Sequence, residues 1–206
     1  MEGVEKTAKT VDEAVSLALA QLGISREEAE IEVLEEPSRG FLGLLGSRPA
    51  RVRVRVKDTP SRRAKELLNQ LLEAMNLPVD MAIEEKENNV FIDIEGKDVG
   101  ILIGRRGETL DALQYLLTLY VNKNQNQRCK VFLDVEGYRR RREETLQRLA
   151  VKLAEKAKQR GRNVVLEPMT SHERRIIHTA LQGRDDIYTY SEGEEPYRKI
   201  IISPKK

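Results

Sequence analysis

The 206-residue sequence predicts an α+β chain made of three small α/β modules in series. Three observations carry that prediction. Short strand and helix candidates alternate along the whole length, a polar break around Pro60 and a glycine at 137 interrupt them, and charge is divided unequally between the pieces. Residues 1–57 carry 9 basic and 10 acidic side chains, residues 58–136 carry 10 and 14, and residues 137–206 carry 17 and 10. The last module is therefore net +7 in a chain that is +2 overall. Such asymmetry fits a polyanionic partner, and a solvated charged helix gives the same composition.

The first module, 1–57, reads as strand, helix, strand, loop, strand. Gly3 to Thr10 is a strand candidate. Thr10-Val-Asp-Glu13 is a capping box ahead of an apolar-periodic helix through Val11, Ala14, Val15, Ala18 and Leu22, closed by Gly23. Ser25-Arg-Glu-Glu28 is a second helix-start signal, Ala29 to Glu35 a strand, and the alternating RVRVRVK of 51–57 a half-buried strand. Phe41, Leu42, Leu44 and Leu45, framed by three glycines, either tuck back over the small sheet or form a partner or membrane-surface contact.

The second module, 58–136, opens with Pro60 placed to begin a helix. A helix over 61–76 leads to strands at 79–85 and 90–95, separated by a turn at Asn88-Asn89. A short helix (98–103), a Gly-x-x-Gly turn at Gly104-Arg105-Arg106-Gly107, a long helix (109–121) and a strand (130–135) follow. The third module, 137–206, begins with a helix whose apolar residues recur at Leu146, Leu149, Ala150, Leu153 and Ala157, with Arg139-Glu143 and Arg140-Glu144 spaced to pair on its exposed side. Gly161 ends it. A short strand at 163–166, a helix capped by Thr170-Ser-His-Glu173 and strands at 187–190 and 198–203 complete a three-stranded sheet with two helices.

A glycine-rich turn that opens a helix is suited to phosphate, because the helix N-terminus offers unpaired N–H groups and the positive end of a dipole. A Walker-type loop is excluded, since Gly104 is followed by Arg105 with no Lys-Ser/Thr. A dinucleotide fingerprint is excluded because residue 102 is leucine and a helix precedes the turn. The helix, Gly-x-x-Gly, helix arrangement, inside a helix-strand-strand-helix-helix-strand order, resembles a prokaryotic, type II KH domain. In that family the loop clamps about four nucleotides of single-stranded backbone. Gly104 and Gly107 permit close approach, Arg105 and Arg106 supply fork-shaped donors, and Ile103 sits beside the clamp. Val99, Ile101, Ile103, Leu110 and Leu113 are divided between core and a groove for unstacked bases.

A second signal lies in SHERRIIHTAL, where Arg174 and His178 share a helix face beside Arg175. A surface helix with an incidental histidine has the same spacing. Following a long basic helix and preceding two strands, the segment is similar to the R-three-H domain, which binds single strands. KH followed by that domain, after a module ending in RGFLGLLGSRPARVRV, resembles the Jag family, the SpoIIIJ-associated proteins also called KhpB or EloR. The resemblance implies a cytoplasmic RNA-binding regulator without enzymatic activity, linked to cell elongation, division, sporulation and envelope synthesis. It implies a small KH-domain partner protein, proximity to the membrane insertase or cell-wall machinery at the inner face of the membrane, and leaves a homodimer open. The linker at Asp58–Ser61 is short, so regulation that relatives place in a long linker is not expected.

Other chemistries find no footing. His172 and His178 lie six apart with no Cys, Asp or Glu at ligand spacing, so no metal or cofactor is expected. Cys129, the single cysteine, sits in a strand candidate without an assignable base and permits no internal disulfide. No apolar run approaches the ~18 residues needed to span a bilayer, and residues 1–20 lack the pattern of a signal peptide, so the cytoplasm is the expected compartment. With 3 Phe, 6 Tyr and no Trp, broad stacking platforms are not expected, and backbone contacts to single-stranded RNA or DNA should dominate.

Overall fold

Period-two and period-3.6 patterning resolve into three three-stranded sheets with helices against them, in a computed structural model that describes residues 3–38 and 48–205. The chain divides into two compact units, 1–63 and 64–206. Phe41, Leu42, Leu44 and Leu45 lie outside the described residues.

In the first unit, β1 (Val4–Ala8), β2 (Ala29–Glu35) and β3 (Ala50–Val56) form an antiparallel sheet in the order β1-β3-β2. Its inward residues Val52 and Val54 meet Ala14, Val15 and Ala18 of α1 (Val11–Leu22). Thr10 caps α1 as its sequence predicts, accepting from the Glu13 N–H at 3.2 Å. Ser25 does not start a helix. Its N–H and hydroxyl both donate to Glu28 Oε2 at 2.9 Å and close a turn, because the following residues are taken by β2 pairing with β3. On the solvent face Arg51 and Arg53 converge on Glu5, and Arg53 also reaches Glu32. The hydrogen bond from Arg51, then that from Arg53, holds the Glu5 carboxyl below the usual carboxylate range. Much of the RVRVRVK cation row is thus neutralised within its own sheet.

The second unit carries two sheets. β4 (Val79–Lys86) and β5 (Asn89–Gly96) pair antiparallel, and β6 (Lys130–Val135) joins β5 in parallel. Their inward residues Val90, Ile92, Ile94, Val131 and Leu133 pack on α2 (Pro60–Ala74) and α4 (Glu108–Val121). The short α3 (Gly100–Ile103) precedes the glycine turn and buries Leu102. Val99 and Leu110 belong to this core, Ile103 and Leu113 pack partly against it, and only Ile101 of that group is largely exposed, at 60%.

Beyond Gly137, α5 (Tyr138–Arg160) and α6 (Ser171–Leu181) cover a sheet of β7 (Val164–Val165), β8 (Ile187–Glu192) and β9 (Lys199–Pro204), in the order β7-β9-β8. Leu146, Ala150, Ala154 and Ala157 form the inner stripe of α5, and Leu149 is exposed instead. Four arginines, 139–142, crowd the first turn of α5, where a positive charge opposes the helix dipole. Folding relieves part of this. Arg139 does not pair with Glu143 as its spacing suggests; it reaches Asp111 at 2.8 Å, Gln114 and the Leu133 carbonyl. Arg141 donates to the Glu136 carbonyl, and Arg142 holds Glu173 of α6 at 2.7 Å. Tyr138 packs into the α2/α4 core, which raises its hydroxyl pKa chiefly by burial. Among the described residues no helix is long and apolar enough to cross a membrane.

Candidate nucleic-acid interface

The glycine turn, Arg105–Gly107, joins α3 to α4, with Arg106 at its centre in a left-handed rather than a helical conformation. Both glycines are required by geometry. Gly104 has φ +69° and ψ −168°, a region essentially closed to other residues, and a Cβ there would lie 2.7 Å from that of Thr109. Gly107 has φ +85°, and a Cβ would meet Tyr138 Cε1 at 2.8 Å. No side chain caps α4; the Glu108 N–H donates to the Arg105 carbonyl, and the helix N-terminus presents the positive end of its dipole beside Glu108 and Asp111 of the first turn.

The two arginines between the glycines have different surroundings. Arg105 is exposed, and its side chain has no hydrogen bond or ion pair among the described residues. Arg106, with φ +57°, turns toward the β7–α6 connection, where it pairs with Glu167 and donates to the Pro168 carbonyl at 3.1 Å. One candidate phosphate ligand is thus free, and the other joins the turn to the module that carries Arg174 and His178.

Those residues sit on α6, which begins in a full capping box. Thr170 Oγ1 accepts from the Glu173 N–H, and Glu173 Oε2 accepts from the Thr170 N–H, both at 3.3 Å. Glu173 is nevertheless buried, because its other oxygen accepts from Arg142, which fixes α6 against α5. Next to it, Arg174 is only 8% exposed; its guanidinium forks onto Glu195 Oε1 at 2.8 and 3.1 Å. His178 lies exposed, with Nδ1 2.6 Å from Thr189 Oγ1 on β8. Arg175 is exposed and unpaired among the described residues. Arg174, Arg175, His178, Tyr190 and Arg198 line an open groove of about 460 Å³ between α6 and the β8–β9 hairpin.

The structure therefore brings Arg174, Arg175 and His178 to one groove and ties the Gly104–Gly107 turn to its flank through Arg106. Spacing alone missed Glu195, Glu167, Thr189 and Arg198, whose roles arise from chain reversals rather than from helical periodicity. Among the described residues no group of three or more His, Cys, Asp or Glu side chains is placed to hold a metal ion.

Three modules of this construction define a chain with a Jag N-terminus, a KH domain of the KhpA/KhpB type and an R-three-H domain, and the corresponding family models match residues 6–56, 61–133 and 144–204. Proteins named RNA-binding protein KhpB are similar over the full chain: 49% identical in Clostridium symbiosum, across 93% of that protein, and 40% in Bacillus subtilis, across all of it. A third, from Lactiplantibacillus plantarum, is 32% identical over 77% of this chain and half of its own length. The chain belongs to the KhpB family.

Proposed function

We propose that this chain is an RNA-binding regulator that holds one single-stranded RNA across the Gly104–Gly107 turn and the α6 groove. The observation that carries the reading is the Arg106 bridge to Glu167 and Pro168, which joins the turn bearing Arg105 to the module bearing Arg174, Arg175, His178 and Arg198. The names of the relatives and the excess of cations after Gly137 support it. The strand's phosphates meet Arg105, the N-terminal end of α4 and Arg175, while Ile101 and Ile103 flank the bases. Neither a resident metal nor a catalytic pair enters this reading, which is non-enzymatic. By family resemblance the regulated processes are cell elongation, division and envelope synthesis in the cytoplasm.

Titrating the full chain with a labelled single-stranded RNA, at several salt concentrations, tests the proposal. Affinity should fall steeply with salt, and the double variant Arg105→Asp, Arg175→Asp should bind far more weakly. Unchanged affinity at low salt refutes the assignment.

A second reading, a protein-interaction scaffold, is favoured by one specific observation: α4 presents Tyr115, Leu116 and Leu119, each more than half exposed, along one side. This face suits the small KH-domain partner, and Phe41, Leu42, Leu44 and Leu45 suit a contact at the membrane insertase or cell-wall machinery. Leu116→Asp should then abolish partner co-purification while leaving RNA affinity intact.

A further inference from the structure

The edge strand β8 has two faces, and the groove uses only one of them fully. Ile187 is buried in the core beneath α6, and Thr189 meets His178. By strand alternation Tyr188 and Tyr190 face the other way, and their rings stack with centroids 5.5 Å apart and planes 27° from parallel. Tyr190 is opposite Ile201 of β9, which is itself opposite Val165 of β7, so an apolar row ending in an aromatic pair crosses the outer face of this sheet. Tyr188 is 55% and Val165 54% exposed. Half of the chain's six tyrosines lie within residues 188–197, so an aromatic-poor composition conceals a local aromatic cluster.

We propose that the Tyr188–Tyr190 pair is a stacking platform for unpaired bases of the single-stranded nucleic acid held in the α6 groove. This rests on the RNA-binding reading above and adds to it a second kind of contact. Two observations select nucleic acid as the occupant. Tyr190 borders the groove that Arg175 and Arg198 line, and β8 is the edge strand of its sheet, so a strand whose phosphates lie on those cations reaches the rings by passing over that edge. The platform also belongs to the module with net charge +7, which complements a polyanion. Every base has a π-face, so such a platform adds affinity with little sequence preference.

The absence of tryptophan makes the test direct, because Tyr188→Trp places a single indole on the platform. Titration of the full-length variant with a short labelled oligoadenylate should quench indole emission with the same midpoint as the rise in anisotropy. An abasic oligomer, which offers phosphates alone, should bind without quenching. Tyr188→Ala should weaken oligoadenylate binding roughly 5- to 30-fold with an unchanged salt dependence, since the lost contact is not ionic. Binding by anisotropy with unquenched indole and wild-type affinity of Tyr188→Ala overturns the platform alone. No anisotropy change with the unaltered protein overturns the RNA-binding reading as well.

Discussion

Replacing Arg105 and Arg106 separately by Ala asks whether two adjacent cations of one turn act in different ways. Arg106→Ala removes the pair with Glu167, whose side chain is 69% exposed, so that this contribution belongs near the low end of ~0–1 kcal/mol. It also removes the guanidinium bond to the Pro168 carbonyl at 3.1 Å, about 1 kcal/mol more. A total of about 1–2 kcal/mol corresponds to a Tm lowered by roughly 3–7 °C for a unit of this size. Arg105→Ala breaks no side-chain hydrogen bond or ion pair among the described residues and should leave stability within about 0.5 kcal/mol. In RNA binding the order reverses. Loss of Arg105 should reduce the slope of log K against log salt by about 0.7, the signature of one lost phosphate contact on a single strand. Thermal unfolding with salt-dependent anisotropy on both variants reads both quantities. If Arg106→Ala lowers the salt slope as much as Arg105→Ala and leaves Tm unchanged, then Arg106 is a phosphate ligand and its bridge to residues 167 and 168 has no energetic weight.

Glu195→Gln should strengthen RNA binding about fivefold, because it removes ~1 kcal/mol of repulsion between a carboxylate and an incoming phosphate while leaving Arg174 in place; weaker binding would mean that Glu195 orients Arg174 for the ligand. Asp186 is held well below the usual carboxylate range, first by the hydrogen bonds from Arg184 and next by that from Lys158. A depressed acid stabilises the fold above its unfolded pKa of ~4 and loses that contribution as the pH falls. Tm measured against pH should therefore drop less steeply below about pH 4 in Asp186→Asn than in the unaltered chain; parallel curves would remove Asp186 from the acid response.

How much of this was legible in the sequence depended on the distance over which each interaction is specified. Thr170 and Glu173 close the capping box that was read there, and Thr10 caps α1 although Glu13 accepts from the Lys9 N–H instead of closing the box, because capping is settled within a few residues and owes little to the rest of the fold. Ser25-x-x-Glu28 carries the same local signature and failed as a helix start, since pairing of Ala29–Glu35 with β3 claims the chain that follows. The element order around the glycine turn was readable from periodicity, and the turn lies where that order puts it. The partners of its cations were not readable. Arg139 meets a residue 28 positions away, Arg106 one 62 away and Arg174 one 21 away, and charged side chains leave no periodic trace of such pairings. Spacing in the basic run at 139–142 pointed to pairs with Glu143 and Glu144 on the exposed side of the same helix, whereas Arg139, Arg141 and Arg142 find partners outside it. Arg174 and His178 share a face as their spacing requires, yet one is a buried ion pair and the other an exposed ring against β8. That difference originates in the β8–β9 hairpin and is invisible from the helix alone.

Gly107 answers to two neighbours at once. Its backbone conformation shapes the turn ahead of α4, and its missing side chain is the space into which Tyr138 fits. Gly104 is bound to Thr109 in the same way, and Arg106 to Glu167. Variation in the turn is therefore channelled into one position: residue 105 can be exchanged without disturbing the helix that follows or the module beyond it. A change in ligand preference at this end of the chain would have to pass through that residue, and a transplanted loop would function only in a host that also supplied the seat for Tyr138.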